Sequence, residues 1–310
     1  MALYTELLGT VGPPPPHDSH DSDCVFLYST SGKEVVAYAN PQMKRGKGVS
    51  GSDVDTETFG DDVQSYHSMY NDQAKVELLR SKNVVSSTGR EEDVDLLPCP
   101  PGEKVCVLRP KGVKEIFHMF GAVLEEFGLK IPFTRFEMDV LHFLNVAPTQ
   151  IRPNSWAFIH GFKILCEALE LIPYAGAFFH FYGSKGVGKG TWVSLIVQAG
   201  KQLFPSFAYN FKKNWRISFM RVRASKDSAV YVASIDGDLQ FPLSWTSSPR
   251  AIDDYDYKKM STYEQGVVGF LDRMKLTDIR ILLNKETNSE DLELYLREYF
   301  KLFVFVTCFF

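Results

Sequence analysis

The chain has 310 residues, 45% hydrophobic and 23% charged, which is enough for one sizeable domain with something added to it and excludes a collagen-like or wholly disordered polymer. Its formal net charge of -4 hides an asymmetry, because residues 1–100 carry sixteen acids against eight bases. Five cysteines (Cys24, Cys99, Cys106, Cys166 and Cys308) are scattered, with no C-x-x-C pair and no histidine at metal-ligand spacing. They read as reduced thiols in an intracellular protein, nuclear or cytoplasmic, with no metal and no cofactor.

The first residues lack the basic and apolar runs of a secretory signal, so secretion is not expected. Residues 1–101 mix Pro13 to Pro16 with Ser, Asp and Gly clusters and show no sustained periodicity. Such a segment cannot bury enough apolar surface to offset its chain entropy, so a long, acidic, mostly disordered N-terminal segment is predicted. Two apolar patches, 25–28 and 35–38, are short strand candidates. Pro98, Pro100 and Pro101 mark the expected boundary.

A domain is expected over 102–300. Val113, Ile116, Phe117, Phe120, Val123, Leu124 and Phe127 recur at spacings of three and four, which predicts one amphipathic helix closed by Gly128. A second helix follows Pro132 and stops near Pro148, and a third starts from Asn154 as N-cap and runs to Leu169. Residues 177–182, 192–197, 217–222 and 229–235 are rich in aromatic and β-branched side chains and read as short strands, with Asp236-Gly237 as a turn. Helical spacing returns over 262–283 and 291–300. The fold class is therefore α+β, with a helical first half, a small antiparallel sheet in the middle and a helical end. The apolar tail 301–310, with the residues just before it, is about half the roughly 20 residues a membrane helix needs, so no membrane partner is expected.

Residues 183–191 read G-S-K-G-V-G-K-G-T, a variant of the phosphate loop in which Gly183 and Gly188 would let backbone N–H groups converge, Lys189 would reach the outer phosphates and Thr191 would hold magnesium. That is the alternative reading, a phosphotransferase. The residues after the loop favour a strand over a helix, and a glycine-rich hairpin accounts for the same letters. Asp253, Asp254 and Asp256 read as a solvated turn. Glu137, Asp139 and His142 share a helix, but positions two apart do not face each other.

Residues 183–226 contain no acid and nine bases, with aromatic residues interleaved. Phosphate neutralisation with base stacking is available to such a stretch, and Lys201, Lys212, Lys213, Arg216, Arg221 and Arg223 are the candidate contacts to DNA or RNA. The competing reading makes the aromatics core and the bases a solvated face that docks the acidic N-terminal segment. A third class is a protein–protein interaction module that self-associates without nucleic acid.

Six pieces occur in order: 144–150 (L-N-V-A-P-T-Q), 153–159 (P-N-S-W-A-F-I), 165–167 (L-C-E), 190–195 (G-T-W-V-S-L), 212–216 with 221–223, and 241–245 (F-P-L-S-W). Together they resemble the gypsy-type transposon domain of plant retroelement proteins, over about 112–285. The resemblance implies a non-enzymatic, gag-like protein with no catalytic residues, and no protease, reverse transcriptase, integrase or zinc-knuckle signature accompanies it.

Overall fold

The computed structural model describes residues 24–28, 34–38, 59, 61–82, 84–85, 94–106, 116–186, 192–205, 207, 209–210, 214–224, 239–274, 276–285, 291 and 294–295. The expected strand 229–235, its turn at Asp236-Gly237, the tail 301–310 and most of 1–58 and 286–300 lie outside them. Strands β1 (Cys24–Tyr28) and β2 (Glu34–Tyr38) pair antiparallel, where the sequence has its two apolar patches.

The rest is an α+β arrangement. After α1 (Asp61–Gln64), α2 (Gln73–Arg80) is N-capped by Asp72, whose carboxylate accepts from the Lys75 N–H. Strands β3 (Val94–Leu97) and β4 (Ile116–Phe120) flank β7 (Phe219–Ala224) in a three-stranded antiparallel sheet. Helices α3 (Gly121–Phe127), α4 (Arg135–Leu144), α5 (Pro153–Ala168) and α6 (Ala175–Phe181) follow β4. A hairpin of β5 (Tyr182–Gly186) and β6 (Val193–Val197) comes next in the chain, and α7 (Thr262–Leu271) and α8 (Ile279–Lys285) supply the helical end.

Helix α5 is the hub. It packs against α3, α4, α8 and β6, and it is apolar around nearly its whole circumference, as a helix covered on all sides must be. Pro153 occupies its first turn and Arg152 is the cap; Asn154, expected to cap it, instead accepts from the Tyr209 N–H at 3.2 Å. Helix α4 begins with a capping box, Thr134 to Glu137, and ends at Asn145 with φ 54°.

Three expectations are corrected. The described residues of 59–106 do not stand apart from the domain. Phe59, Val63, Val76, Leu79, Val94 and Leu96 belong to the same core, and β3 hydrogen-bonds to β7, so the boundary drawn at residue 101 cuts through one packed body. Among the described residues, Asp72 and Glu77 are exposed and Asp95 and Glu103 are paired with Arg223 and Arg221.

Of the helix expected over 113–127, residues 116–120 are strand β4 and 121–127 are helix α3, and 113–115 lie outside the described residues. Pairing of β4 with β7 decides this, because both faces of the strand are covered and its apolar run loses any periodic signature. Gly121 marks the switch, where a Cβ would stand 2.6 Å from the Tyr70 hydroxyl. Of residues 177–182, expected as a strand, 177–181 lie in α6 and Tyr182 opens β5. Every α6 side chain is buried, and a seven-residue apolar run carries no period that separates a buried helix from a strand.

Candidate functional site

Four of the six sequence pieces that carry the resemblance, 144–150, 153–159, 190–195 and 241–245, meet through hydrogen bonds within or beside them. Gln150 is fully buried, and its amide bonds both ways with Thr246, donating to the carbonyl at 2.8 Å and accepting from the N–H at 3.0 Å. The Trp245 indole donates to the Thr149 hydroxyl at 2.9 Å, and the Trp156 indole donates to the Pro148 carbonyl at 3.1 Å. The Arg250 N–H meets the Leu144 carbonyl at 2.7 Å, and the Asn145 amide donates to the Ser248 carbonyl at 3.0 Å. On the other side, the Ser155 hydroxyl accepts from the Leu195 N–H and the Val193 carbonyl accepts from the Arg152 N–H, both at 2.9 Å. L-N-V-A-P-T-Q thus docks the segment after F-P-L-S-W, and P-N-S-W docks W-V-S-L. Thr149, Gln150, Ser155, Trp156 and Trp245 are buried and each finds a hydrogen-bond partner, which is the condition for a rigid polar seam.

The four described bases among the candidate nucleic-acid contacts each meet a group of the same chain. The Arg221 guanidinium forks onto the Glu103 carboxylate at 2.6–3.0 Å. The Arg223 guanidinium donates to Asp95 at 2.7 Å, and the Lys201 ammonium to Asp254 at 3.1 Å. Arg216 lies over the rings of Trp215, Tyr66 and Trp192 at 4.6, 5.6 and 5.7 Å, a cation–π cluster. Arg221 and Arg223 do share a face of β7, as the two-residue period requires, and that face is where β3 and the loop after it bring their acids. Lys212 and Lys213 lie outside the described residues.

Of the glycine segment, 183–186 form β5 and 187–191, which include Gly188, Lys189 and Thr191, lie outside the described residues. The strands on either side are antiparallel neighbours, Tyr182 opposite Val197 and Gly186 opposite Val193. A strand therefore follows where a phosphate loop is followed by a helix. Gly183 has a reason of its own: a Cβ there would stand 2.5 Å from the Ile252 carbonyl, in a close approach fixed by the Ser184 N–H bond to the same oxygen at 2.8 Å.

Carboxylates singled out in the sequence are also occupied. Glu137 completes the Thr134 capping box, with its other oxygen 3.6 Å from His160 Nδ1, and Asp139 pairs with Arg135 at 2.9 Å. Asp256 caps the 3₁₀ turn Tyr257–Lys259.

Sequence reasoning missed one cluster. Cys99, Glu103 and His118 bring a thiol, a carboxylate and an imidazole nitrogen within 4.8 Å of one another beneath Arg221. His118 Nε2 is 3.6 Å from Glu103 Oε2, and its Nδ1 is 3.2 Å from the Val105 carbonyl. Burial alone would raise the Glu103 carboxyl, but the His118 and Arg221 hydrogen bonds and charges outweigh it and hold it at about 2. Burial, with the Glu103 charge, pushes the Cys99 thiol up to about 12, so by itself it is a poor nucleophile. Spacings of four and fifteen residues fit no metal or catalytic template; only the β3–β7–β4 pairing brings the three together.

Residues 119–186 match a family described as "Putative gypsy type transposon". The chain is similar to a transposon-related family over that stretch, which runs from β4 through β5 and contains the first three of the six pieces. No curated protein and no solved structure matches the chain. The later pieces, from W-V-S-L onward, lie beyond the matched stretch, yet they supply the partners of the seam. Among the described residues, no helix is long and apolar enough to cross a membrane.

Proposed function

We propose that this transposon-related chain works by contact rather than by catalysis, as a gag-like structural module of a plant retroelement. One observation carries the reading: Thr149, Gln150, Ser155, Trp156 and Trp245, among the residues that give the chain its resemblance, are buried and spent on hydrogen bonds within the chain. Reactive side chains would instead converge on a cleft. The antiparallel setting of the glycine segment supports the same reading, since its backbone links two strands and does not open a helix. The test is thermal unfolding with magnesium and ATP, alongside light scattering across a concentration series. An unchanged melting temperature and concentration-dependent self-association are expected; a melting rise that Lys189→Ala abolishes would sink the proposal.

A narrower nucleic-acid reading rests on Arg216, whose guanidinium lies over two indoles immediately after Lys212 and Lys213. With Arg221, Arg223 and Lys201 neutralised internally, polyanion affinity is expected to be weak and to depend on the 212–216 segment. Filter binding at low salt checks this. Retention lost in a Lys212→Glu, Lys213→Glu double variant but kept in Arg223→Ala supports it, and equal retention by all three chains discards it.

A further inference from the structure

We infer that Cys99, Glu103 and His118 form a binding site for one zinc-type divalent cation, which staples the segment after β3 to the sheet. The first argument is the donor set. One thiolate, one carboxylate oxygen and one imidazole nitrogen are a mixed S, O and N set that suits tetrahedral zinc, whose bonds of about 2.0–2.3 Å place ligand atoms about 3.3–3.8 Å apart. The Glu103 Oε2 to His118 Nε2 distance of 3.6 Å falls in that range, and all three donors lie within 4.8 Å.

The second argument is the histidine's orientation. Nδ1 faces the Val105 carbonyl, an acceptor only, so that nitrogen carries the ring hydrogen. Nε2 then faces the carboxylate either as a second N–H donor or with a lone pair, and in the lone-pair state a cation between the two acceptors is what would hold them together. A histidine fixed by a backbone carbonyl through one nitrogen, with the other turned to an acid and a thiol, is the arrangement by which proteins orient a metal ligand.

Burial and charge complete the case. The side chains of Glu103 and His118 are 8% and 10% exposed and Cys99 is 1% exposed, so water is largely excluded. Thiolate and carboxylate together balance a divalent ion; the Arg221 fork reaches both Glu103 oxygens, 2.6 Å to Oε1 and 2.9 Å to Oε2, and Oε2 also faces His118 Nε2. Ser68, whose hydroxyl bonds the Phe219 carbonyl, lies beside the Cys99 sulfur. Binding releases the thiol proton to solvent, so affinity rises with pH.

The test uses the full chain, stripped with a chelator, dialysed and titrated with cobalt(II). One equivalent is expected to bind, with a thiolate-to-cobalt absorption band in the near ultraviolet, and added zinc should displace it and raise the melting temperature. Cys99→Ser, checked for folding by circular dichroism, should lose the band. Cys106→Ser, which alters a buried thiol outside the cluster, should keep it. Absence of the band from the parent chain overturns the site without recourse to any variant. Persistence of the band in Cys99→Ser overturns it equally, and would leave the Glu103–His118 contact as a proton-bridged ion pair.

Discussion

Around α5 the side chains that meet are mostly aromatic, aliphatic or neutral polar, apart from the buried Glu137–His160 contact, and their hydrogen bonds run mostly to backbone groups; across the outer face of β3–β7–β4 the contacts are between Asp95, Glu103, His118, Arg221 and Arg223. Both regions join stretches roughly a hundred residues apart. Around α5 the gain comes from burial plus polar groups that stay satisfied, whereas on the sheet it comes from charge complementarity partly shielded from water. The comparison teaches that a run of bases in a sequence does not by itself make a basic surface. Here acids from the neighbouring strand and its loop meet the arginines first.

The largest expected effect breaks the first region. Trp156→Ala should cost about 3–5 kcal/mol in urea unfolding, because a fully buried indole with ring neighbours such as Phe133 leaves a cavity that a helix packed on every side cannot close. Glu103→Gln attacks the second region and should cost about 3 kcal/mol, near the low end for a broken buried pair, since Arg221 keeps 20% of its side-chain exposure.

The same carboxylate gives a pH signature. It is held at about 2 against an ordinary 4.5, so its contribution is complete above pH 4.5 and is lost as pH falls from there toward 2. Chelator-treated parent chain should therefore lose more of its denaturation midpoint over that window than Glu103→Gln does. Equal loss in both would show that the pair does not act in the folded state.

Returning to the seam, Gln150→Leu strands the Thr246 N–H and carbonyl and is expected to cost about 1–3 kcal/mol by the same unfolding measurement. Smallest of all, Arg223→Ala should cost about 0.2–1 kcal/mol, because Arg223 and Asp95 keep 47% and 41% of their side-chain exposure and solvent screens them. A loss above 2 kcal/mol there would mean that the two regions differ less than the geometry implies.

Much of the fold was legible. Helices α4 and α5 announced themselves through long periodic runs with flanking prolines, β6 and β7 through β-branched and aromatic clusters, and the glycine segment through residues that favour a hairpin. What was misread shares one cause. Strand β4 and helix α6 are short and covered on both sides, and burial on all faces erases the polar positions from which a period is counted. The part of the N-terminal segment from Phe59 onward that joins the core was not legible because its elements are short, so no window averaged to a core.

By itself the sequence determined the α+β class, the two central helices, the acid-free stretch and the resemblance, because each is a local or ordered pattern that spacing alone displays. Only the tertiary structure decided which acids meet Arg221 and Arg223, that Gln150 reaches Thr246, and that Cys99, Glu103 and His118 share one pocket of donors. Those are pairings between residues far apart in the chain, fixed by strand register and helix packing, and no local spacing encodes them.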